Sequence, residues 1–157
     1  MSTELKAHVR GKIEDWGKSY ANDLRAMSEE QLAASPGGSA RTPYDFTYEC
    51  VYVNNRVAAR LRGEDPGPWT NEGWMKAPDD FRNKDAALGG FEASVKSVLD
   101  GIDATPPEKL RDKIALPTGE TSPLAMADLV ASHLCYHDAQ LNYHQAIHGD
   151  EEVHWGG

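Results

Sequence analysis

Residues 122–149 read SPLAMADLVASHLCYHDAQLNYHQAIHG and contain four of the six histidines of this 157-residue chain. Ser122 followed by Pro123 is typical of a helix start, because serine caps the first turn and proline suits the first helical position. Gly149 is a common residue just beyond a helix end. The apolar residues between these points recur every three or four positions, so the stretch predicts one long amphipathic helix.

The four histidines of this helix fall along one line. At about 100° per residue, with His133 at zero, His137 lies near +40°, His144 near +20°, His148 near +60° and Gln140 near −20°. Apolar residues flank the line on both sides, so we expect the imidazoles to point into a helical bundle from the middle of the apolar face. The residues predicted to face away from the bundle are Asp128, Asp138 and Asn142.

His133 and His137 are one helical turn apart, a spacing at which two imidazoles can bind the same metal ion. The alternative is a pair of core histidines that bond to tyrosines or carbonyl groups, since such pairs also arise by chance. His144 and His148 repeat the spacing. We interpret them as a second polar layer, or as residues that reach solvent near the helix end, where a cation suits the helix dipole.

Three earlier segments also carry a helical period, and we predict helices at about 3–34, 42–62 and 83–100. Proline-containing loops are predicted at 63–80 and 103–121. No alternating strand pattern stands out. The first loop contains two tryptophans, so we expect it to fold back over the helices. The sequence therefore predicts an all-α four-helix bundle with long loops.

Length and composition fit one globular domain, which we place at residues 1–150, followed by a short C-terminal tail at 151–157. Hydrophobic residues make up 39% of the chain and charged residues 26%, as is usual for globular proteins. There is no apolar run of about 18 residues that would predict a membrane-spanning helix.

The charge balance bears on partners. There are 25 acidic residues against 16 basic ones, for a net charge of −9. This balance argues against nucleic acid or an anionic membrane as a partner. The presence of only two cysteines, Cys50 and Cys135, and the lack of a signal-peptide pattern at the N-terminus predict a cytoplasmic protein. We interpret both cysteines as structural, because neither has an evident activating base on its own helix.

Glu49 is the candidate third metal ligand, contributed by a second helix. It lies at the edge of the apolar arc of the predicted 42–62 helix, where a carboxylate needs a cation or a metal as partner. Arg56 lies two turns further on and could form an ion pair with Glu49. Asp45 could pair with Arg56 instead, so the residues alone leave both roles of Glu49 open.

Two stretches resemble the DinB-like superfamily. Residues 41–49, RTPYDFTYE, resemble the start of the second helix of that family. Residues 133–141, HLCYHDAQL, resemble its H-x-x-x-H-x-x-Q-hydrophobic pattern, and Gly149 matches the glycine that closes the helix. The resemblance implies a four-helix bundle with long crossover loops, often a homodimer, in which three histidines hold one divalent metal ion.

Carried over by position, the resemblance implies Glu49, His133 and His137 as the metal ligands. Glu49 stands where the family usually has a histidine. Two histidines and one carboxylate still suit zinc, nickel or iron(II), and such a set leaves coordination positions open for water or substrate.

Catalytic members of the family are thiol-dependent transferases, isomerases or hydrolases. The resemblance therefore implies a metal-dependent transferase or hydrolase acting on a small molecule. If the protein is such an enzyme, we expect Tyr52, Arg56 and Gln140 to line its pocket. The alternative is a non-catalytic bundle that binds a metal or a small molecule in a structural or stress-related role. The sequence leaves open whether the protein is an enzyme.

Overall fold

The computed structural model describes residues 1–154 and contains four long helices and one short helix. The helices are α1 (Ser2–Ala26), α2 (Glu29–Ala33), α3 (Pro43–Leu61), α4 (Lys84–Ala104) and α5 (Pro123–Ile147). Two 3₁₀ turns lie at Asp79–Phe81 and Pro107–Lys109. The mostly helical structure confirms the predicted all-α bundle. The predicted 151–157 tail lies partly outside the described residues.

The four long helices pack in the order α1, α4, α3, α5 around the bundle, so that α5 touches both α1 and α3. Tyr20 of α1 stacks on Phe91 of α4 in the centre, with ring centroids 4.3 Å apart. Gly17 lets the same two helices approach closely, because a Cβ atom there would lie 2.9 Å from Cγ1 of Val95. Within residues 1–154, no helix is both long enough and apolar enough to cross a membrane.

The predicted first helix, 3–34, is in fact two helices. The backbone of Met27 is extended, with φ −78° and ψ 143°, so α1 stops at Ala26. Ser28 then starts α2 through a capping box in which its side chain and that of Gln31 each bond the backbone of the other residue. The cap compensates for the broken helical hydrogen bonds, which explains why a continuous apolar stripe does not give one continuous helix.

The loop predicted at 103–121 contains a small antiparallel hairpin, in which β1 (Ile114–Leu116) pairs with β2 (Gly119–Thr121). Each strand has only three residues, which is too short for an alternating pattern to stand out in the sequence. Gly119 begins β2 with φ +143°, a backbone conformation that favours glycine.

The buried side of α5 is rotated from the predicted one. On the angular scale with His133 at zero, the buried residues run from Met126, at about +20°, to Ala131, at about +160°. Three apolar side chains that flank the histidine line are 54%, 55% and 47% exposed. They are Leu129, Tyr136 and Ile147. The histidine line therefore lies at the edge of the buried surface, beside solvent, and not at its centre.

The flank of α5 that was predicted to face away from the bundle packs on α1. Asp138 is 3% exposed, and Asn142 donates from Nδ2 to Oδ2 of the fully buried Asp23 at 2.7 Å. Polar groups can be buried at this interface because they meet polar partners on the neighbouring helix. Hydrophobic periodicity treats such residues as solvent-facing, so the prediction for Asp138 and Asn142 was wrong.

Candidate metal centre

Helices α3 and α5 bring Glu49, His133 and His137 together. The Nε2 atoms of the two histidines are 3.1 Å apart. Oε1 of Glu49 lies 3.5 Å from Nε2 of His133 and 4.0 Å from Nε2 of His137. Ligand atoms that share one zinc-sized ion are separated by roughly 3.0–3.4 Å. The three donors are thus close to the spacing that a single ion requires.

The surroundings of His137 leave the lone pair of its Nε2 available to a metal ion. Its Nδ1 lies 2.7 Å from Oε1 of Gln140, which accepts the ring proton. The pKa of His137 is lowered to about 4. Burial is the main cause, and the lowering effect of His133 is larger than the raising effect of the Glu49 carboxylate. A neutral imidazole whose proton is held on the far nitrogen is the form that binds metal ions.

His133 has fewer partners than its position requires. Burial lowers its pKa by more than Glu49 raises it, so its ring is also neutral at pH 7. Its Nδ1 is buried without a hydrogen-bond partner among the described residues. At most one ring N–H is therefore available to the lone pairs of Glu49 and His137 that converge here. A cation at this point would satisfy the lone pairs of Glu49 Oε1 and of the two Nε2 atoms together, so the residues fit a metal ion.

Cys50 is a fourth side chain at the centre. Its sulfur and one ring nitrogen from each of His133 and His137 lie within 4.8 Å of one another, a cluster that could hold a metal ion. Cys50 is completely buried, and burial raises the pKa of its thiol. From the sequence we had interpreted Cys50 as structural. The sequence did offer one indication that Cys50 lies near the site. It directly follows Glu49, and consecutive residues of α3 can both reach α5.

Arg41, which no spacing pattern in the sequence singles out, holds Glu49. Its Nη1 donates to Oε2 of Glu49, and its guanidinium lies 4.7 Å from the ring centroid of Trp74. Partial burial raises the pKa of Glu49, but the hydrogen bond and charge of Arg41, helped by the histidines, bring it below its usual value. Glu49 is therefore ionised, and its second oxygen, Oε1, faces the histidines.

Arg56 and Tyr52 lie away from the centre. Arg56 donates to the carbonyl groups of residues 66–68 at 2.7–3.2 Å and lies 5.4 Å above the ring of Tyr52. Both residues line a separate cavity of about 480 Å³. Asp45 pairs with Arg82 at 2.6 Å. Arg56 therefore forms neither of the ion pairs proposed for it, with Glu49 or with Asp45. The 63–80 loop folds back and presents three carbonyl groups, which bind its guanidinium instead.

Gln140 does reach the centre, and it also lines a larger cavity of about 730 Å³. This cavity, the α5 groove, runs along the outer side of α5. Its other lining residues include Arg41, Phe46, Trp74, Tyr136 and Tyr143. The loop tryptophans do contact the bundle, as expected, but Trp69 and Trp74 remain 53% and 66% exposed.

Comparison with known proteins gives the family. The model of the DinB superfamily matches residues 18–141, about four-fifths of the chain. The crystal structure of a conserved protein from Enterococcus faecalis has the same fold, with a TM-score of 0.71 and 13% identity over 90% of this chain and 95% of that one. No curated protein matches the sequence. The resemblance seen in residues 41–49 and 133–141 is confirmed, and the chain belongs to the DinB superfamily.

Proposed function

We propose that this protein binds one divalent metal ion, zinc, nickel or iron(II), and acts as a metal-dependent transferase or hydrolase on a small molecule, with a thiol as a candidate co-substrate. The observation that carries the proposal is the convergence of Glu49 Oε1 with the Nε2 atoms of His133 and His137, all within 4.0 Å. Two neutral imidazoles and an ionised carboxylate form a donor set that needs no further deprotonation before it binds metal.

Each donor is oriented by a neighbour. Gln140 accepts the Nδ1 proton of His137, and Phe46 stacks on the same ring at 5.5 Å with the planes 5° apart. Arg41 holds one oxygen of Glu49 and leaves the other directed at the histidines. When bound, the ion supplies Lewis-acid chemistry, which lowers the pKa of a water or thiol at an open coordination position.

The α5 groove is the proposed route by which substrate approaches the open coordination position. Phe46 and Gln140 line the groove and contact His137 directly, so a molecule in the groove would lie one side chain away from this proposed ligand. Three protein ligands leave at least one coordination position open, which is the arrangement of catalytic rather than structural zinc sites.

Cys50 supports a second candidate function. If its sulfur joins Glu49 and the two histidines, the set has four protein ligands and a tetrahedral ion is closed to substrate. The protein would then be a non-catalytic metal-binding bundle. We favour the open set because Glu49 is already ionised, whereas the buried thiol of Cys50, with its raised pKa, would have to lose a proton on binding.

Cobalt(II) separates these two functions, because a thiolate ligand to cobalt gives a near-ultraviolet charge-transfer band. We expect cobalt-loaded wild type to lack this band. We expect Cys50→Ser to bind zinc within about 3-fold of wild type and Glu49→Gln to bind it at least about 10-fold more weakly. A thiolate band in wild type that disappears in Cys50→Ser would instead establish the closed, non-catalytic site.

Activity is tested with the zinc-, nickel- and iron(II)-loaded protein against ester, amide and thiol-transfer substrates, with His133→Ala as the inactive control. Turnover by the loaded wild type that His133→Ala lacks would support an enzyme. Turnover equal in both proteins would show that the activity does not come from this centre.

The expectations on partners and location remain proposals. We propose a homodimer, supported by the family resemblance and tested by light scattering coupled to size-exclusion chromatography. A small molecule, and not nucleic acid or a membrane, is the proposed ligand, supported by the net charge of −9. The two free cysteines support a cytoplasmic location, which fractionation of the native cell would test.

A further inference from the structure

We infer that the α5 groove binds a small aromatic carboxylate, with Arg41 recognising the carboxylate and aromatic side chains enclosing the ring. The inference names the substrate class for the proposed metal centre and rests on that proposed function. It starts from the shape of the groove, whose volume of about 730 Å³ is of the size that holds a drug-sized molecule.

The walls of the α5 groove are aromatic and uncovered. Trp74, Tyr136 and Tyr143 are 66%, 55% and 71% exposed, and all three line the groove. Phe46, 5% exposed, forms its inner wall. Large aromatic side chains gathered at one concave site are typical of a binding surface, and flat rings pack on such walls by stacking or edge contacts.

Three residues that line the groove also contact the ring of His137, one of the proposed metal ligands. Phe46 stacks on His137, Tyr136 contacts the same imidazole edge-on at 4.8 Å, and Gln140 bonds its Nδ1. A ring held between these walls would therefore lie one side chain away from His137.

The charge of the site selects an anion. Arg41 is the one Lys or Arg in the groove lining, and within residues 1–154 that lining includes no Asp or Glu. His144 also lines the groove, but burial lowers its pKa and its Nε2 is occupied by the carbonyl of Gln31. Arg41 and Glu49 cancel each other's charge, so a bound divalent ion leaves this region with a formal excess of two positive charges. The chain as a whole carries −9, so the sign of this site is opposite to the net charge of the protein.

Arg41 is also suited to a second carboxylate by its geometry. Its Nη1 donates to Glu49, and a guanidinium has five N–H groups in a fixed plane. The side chain is 11% exposed and is held against the ring of Trp74, so it is already oriented. A carboxylate entering past Trp74 can accept from the remaining N–H groups while Glu49 stays in place.

The test uses two probes of the same shape and different charge, naphthalene-2-carboxylate and naphthalene-2-methanol, titrated calorimetrically into zinc-loaded protein. We expect wild type to bind the carboxylate at least about 10-fold more tightly than the alcohol. Arg41→Gln, measured at a zinc concentration that saturates its weakened site, should lose this preference while still binding the alcohol, whereas Tyr143→Ala should weaken both probes. Arg41→Lys, which keeps the charge, should retain part of the preference. Arg62→Gln is the matched control, because Arg62 pairs with Glu64 away from the groove and should behave as wild type.

The outcomes separate this inference from the proposed function. Wild type that takes up none of zinc, nickel and iron(II) refutes the proposed metal centre and, with it, the inference built on it. Wild type that binds zinc but binds both probes equally, or neither, refutes the aromatic-carboxylate inference alone. If probes fail to bind and Tyr143→Ala converts a dimer into a monomer, a second copy of the chain occupies the groove and the inference is likewise overturned. Zinc content is measured in every variant, so a loss of probe binding is not confused with a loss of metal.

Discussion

Replacement of Asp138 by asparagine should remove most of the fall in stability that we expect as the pH rises. Asp138 is 3% exposed and lies against the fully buried Asp23. Burial, followed by the hydrogen bond and charge of Asp23, raises the pKa of Asp138 to about 8. One carboxylate oxygen of each residue has no partner among the described residues. The two carboxyl groups are therefore stable together only when a proton lies between them.

The magnitude follows from this pKa. In the unfolded chain the Asp138 carboxyl titrates near its model value of 3.8. Between that pH and about 8 the folded protein holds one proton that the unfolded chain has released. The free energy of unfolding therefore falls as the pH rises, by about 1.4 kcal/mol per pH unit for one proton. From pH 5 to pH 7 this contribution amounts to about 3 kcal/mol, an order-of-magnitude figure.

The assay is urea unfolding at pH 5, 6, 7 and 8 in the presence of a chelator, for wild type and Asp138→Asn. Asparagine keeps the shape of the side chain and donates to Asp23 without a titrating proton. The free energy of unfolding of Asp138→Asn, relative to that of wild type, should therefore rise with each pH unit. Asp128→Asn is the control, since Asp128 is an exposed residue of the same helix paired with Lys12, and it should follow wild type. If the free energy of unfolding changed with pH in the same way for wild type and Asp138→Asn, the idea of a proton shared by Asp138 and Asp23 would be refuted.

Two further substitutions test separate parts of the structure. Gly17→Ala should destabilise the protein by about 1–3 kcal/mol in urea unfolding, because its Cβ would meet Val95 at 2.9 Å. Gly11→Ala, with open space around the same helix position, should instead be neutral or stabilising by up to about 1 kcal/mol, and equal effects would contradict the packing account. Arg41→Gln should weaken zinc binding about 10–100-fold in a chelator competition, since it removes the group that orients Glu49, the proposed carboxylate ligand. Unchanged affinity would show that Arg41 has no positioning role.

Much of the fold could be predicted because its helix boundaries have local causes. Thr42–Pro43 and Ser122–Pro123 start α3 and α5 as expected, and both caps form with their own first turns. The break at Met27 was missed because a buried methionine continues the apolar stripe while Ser28 and Gln31 restart the helix. Periodicity reports which residues are apolar, and it does not report where a competing cap interrupts the backbone.

The site was harder to predict because its geometry depends on contacts between distant segments. The positions of Glu49, His133 and His137 follow from helical spacing and from the family resemblance. Arg41 precedes α3, and its direction depends on Trp74 from a loop more than thirty residues away, so no spacing rule finds it. Arg56, in contrast, has the right spacing from Glu49 but is captured by the carbonyl groups of that same loop.

The most direct test of the metal centre is elemental analysis of protein purified without an affinity tag, with wild type beside His137→Ala and with His8→Ala as an exposed-histidine control. We expect about one zinc, nickel or iron ion per chain in wild type and in His8→Ala, and almost none in His137→Ala. If wild type holds no ion even after incubation with each of the three metals, the histidines and Glu49 form a polar cluster and the central claim is wrong.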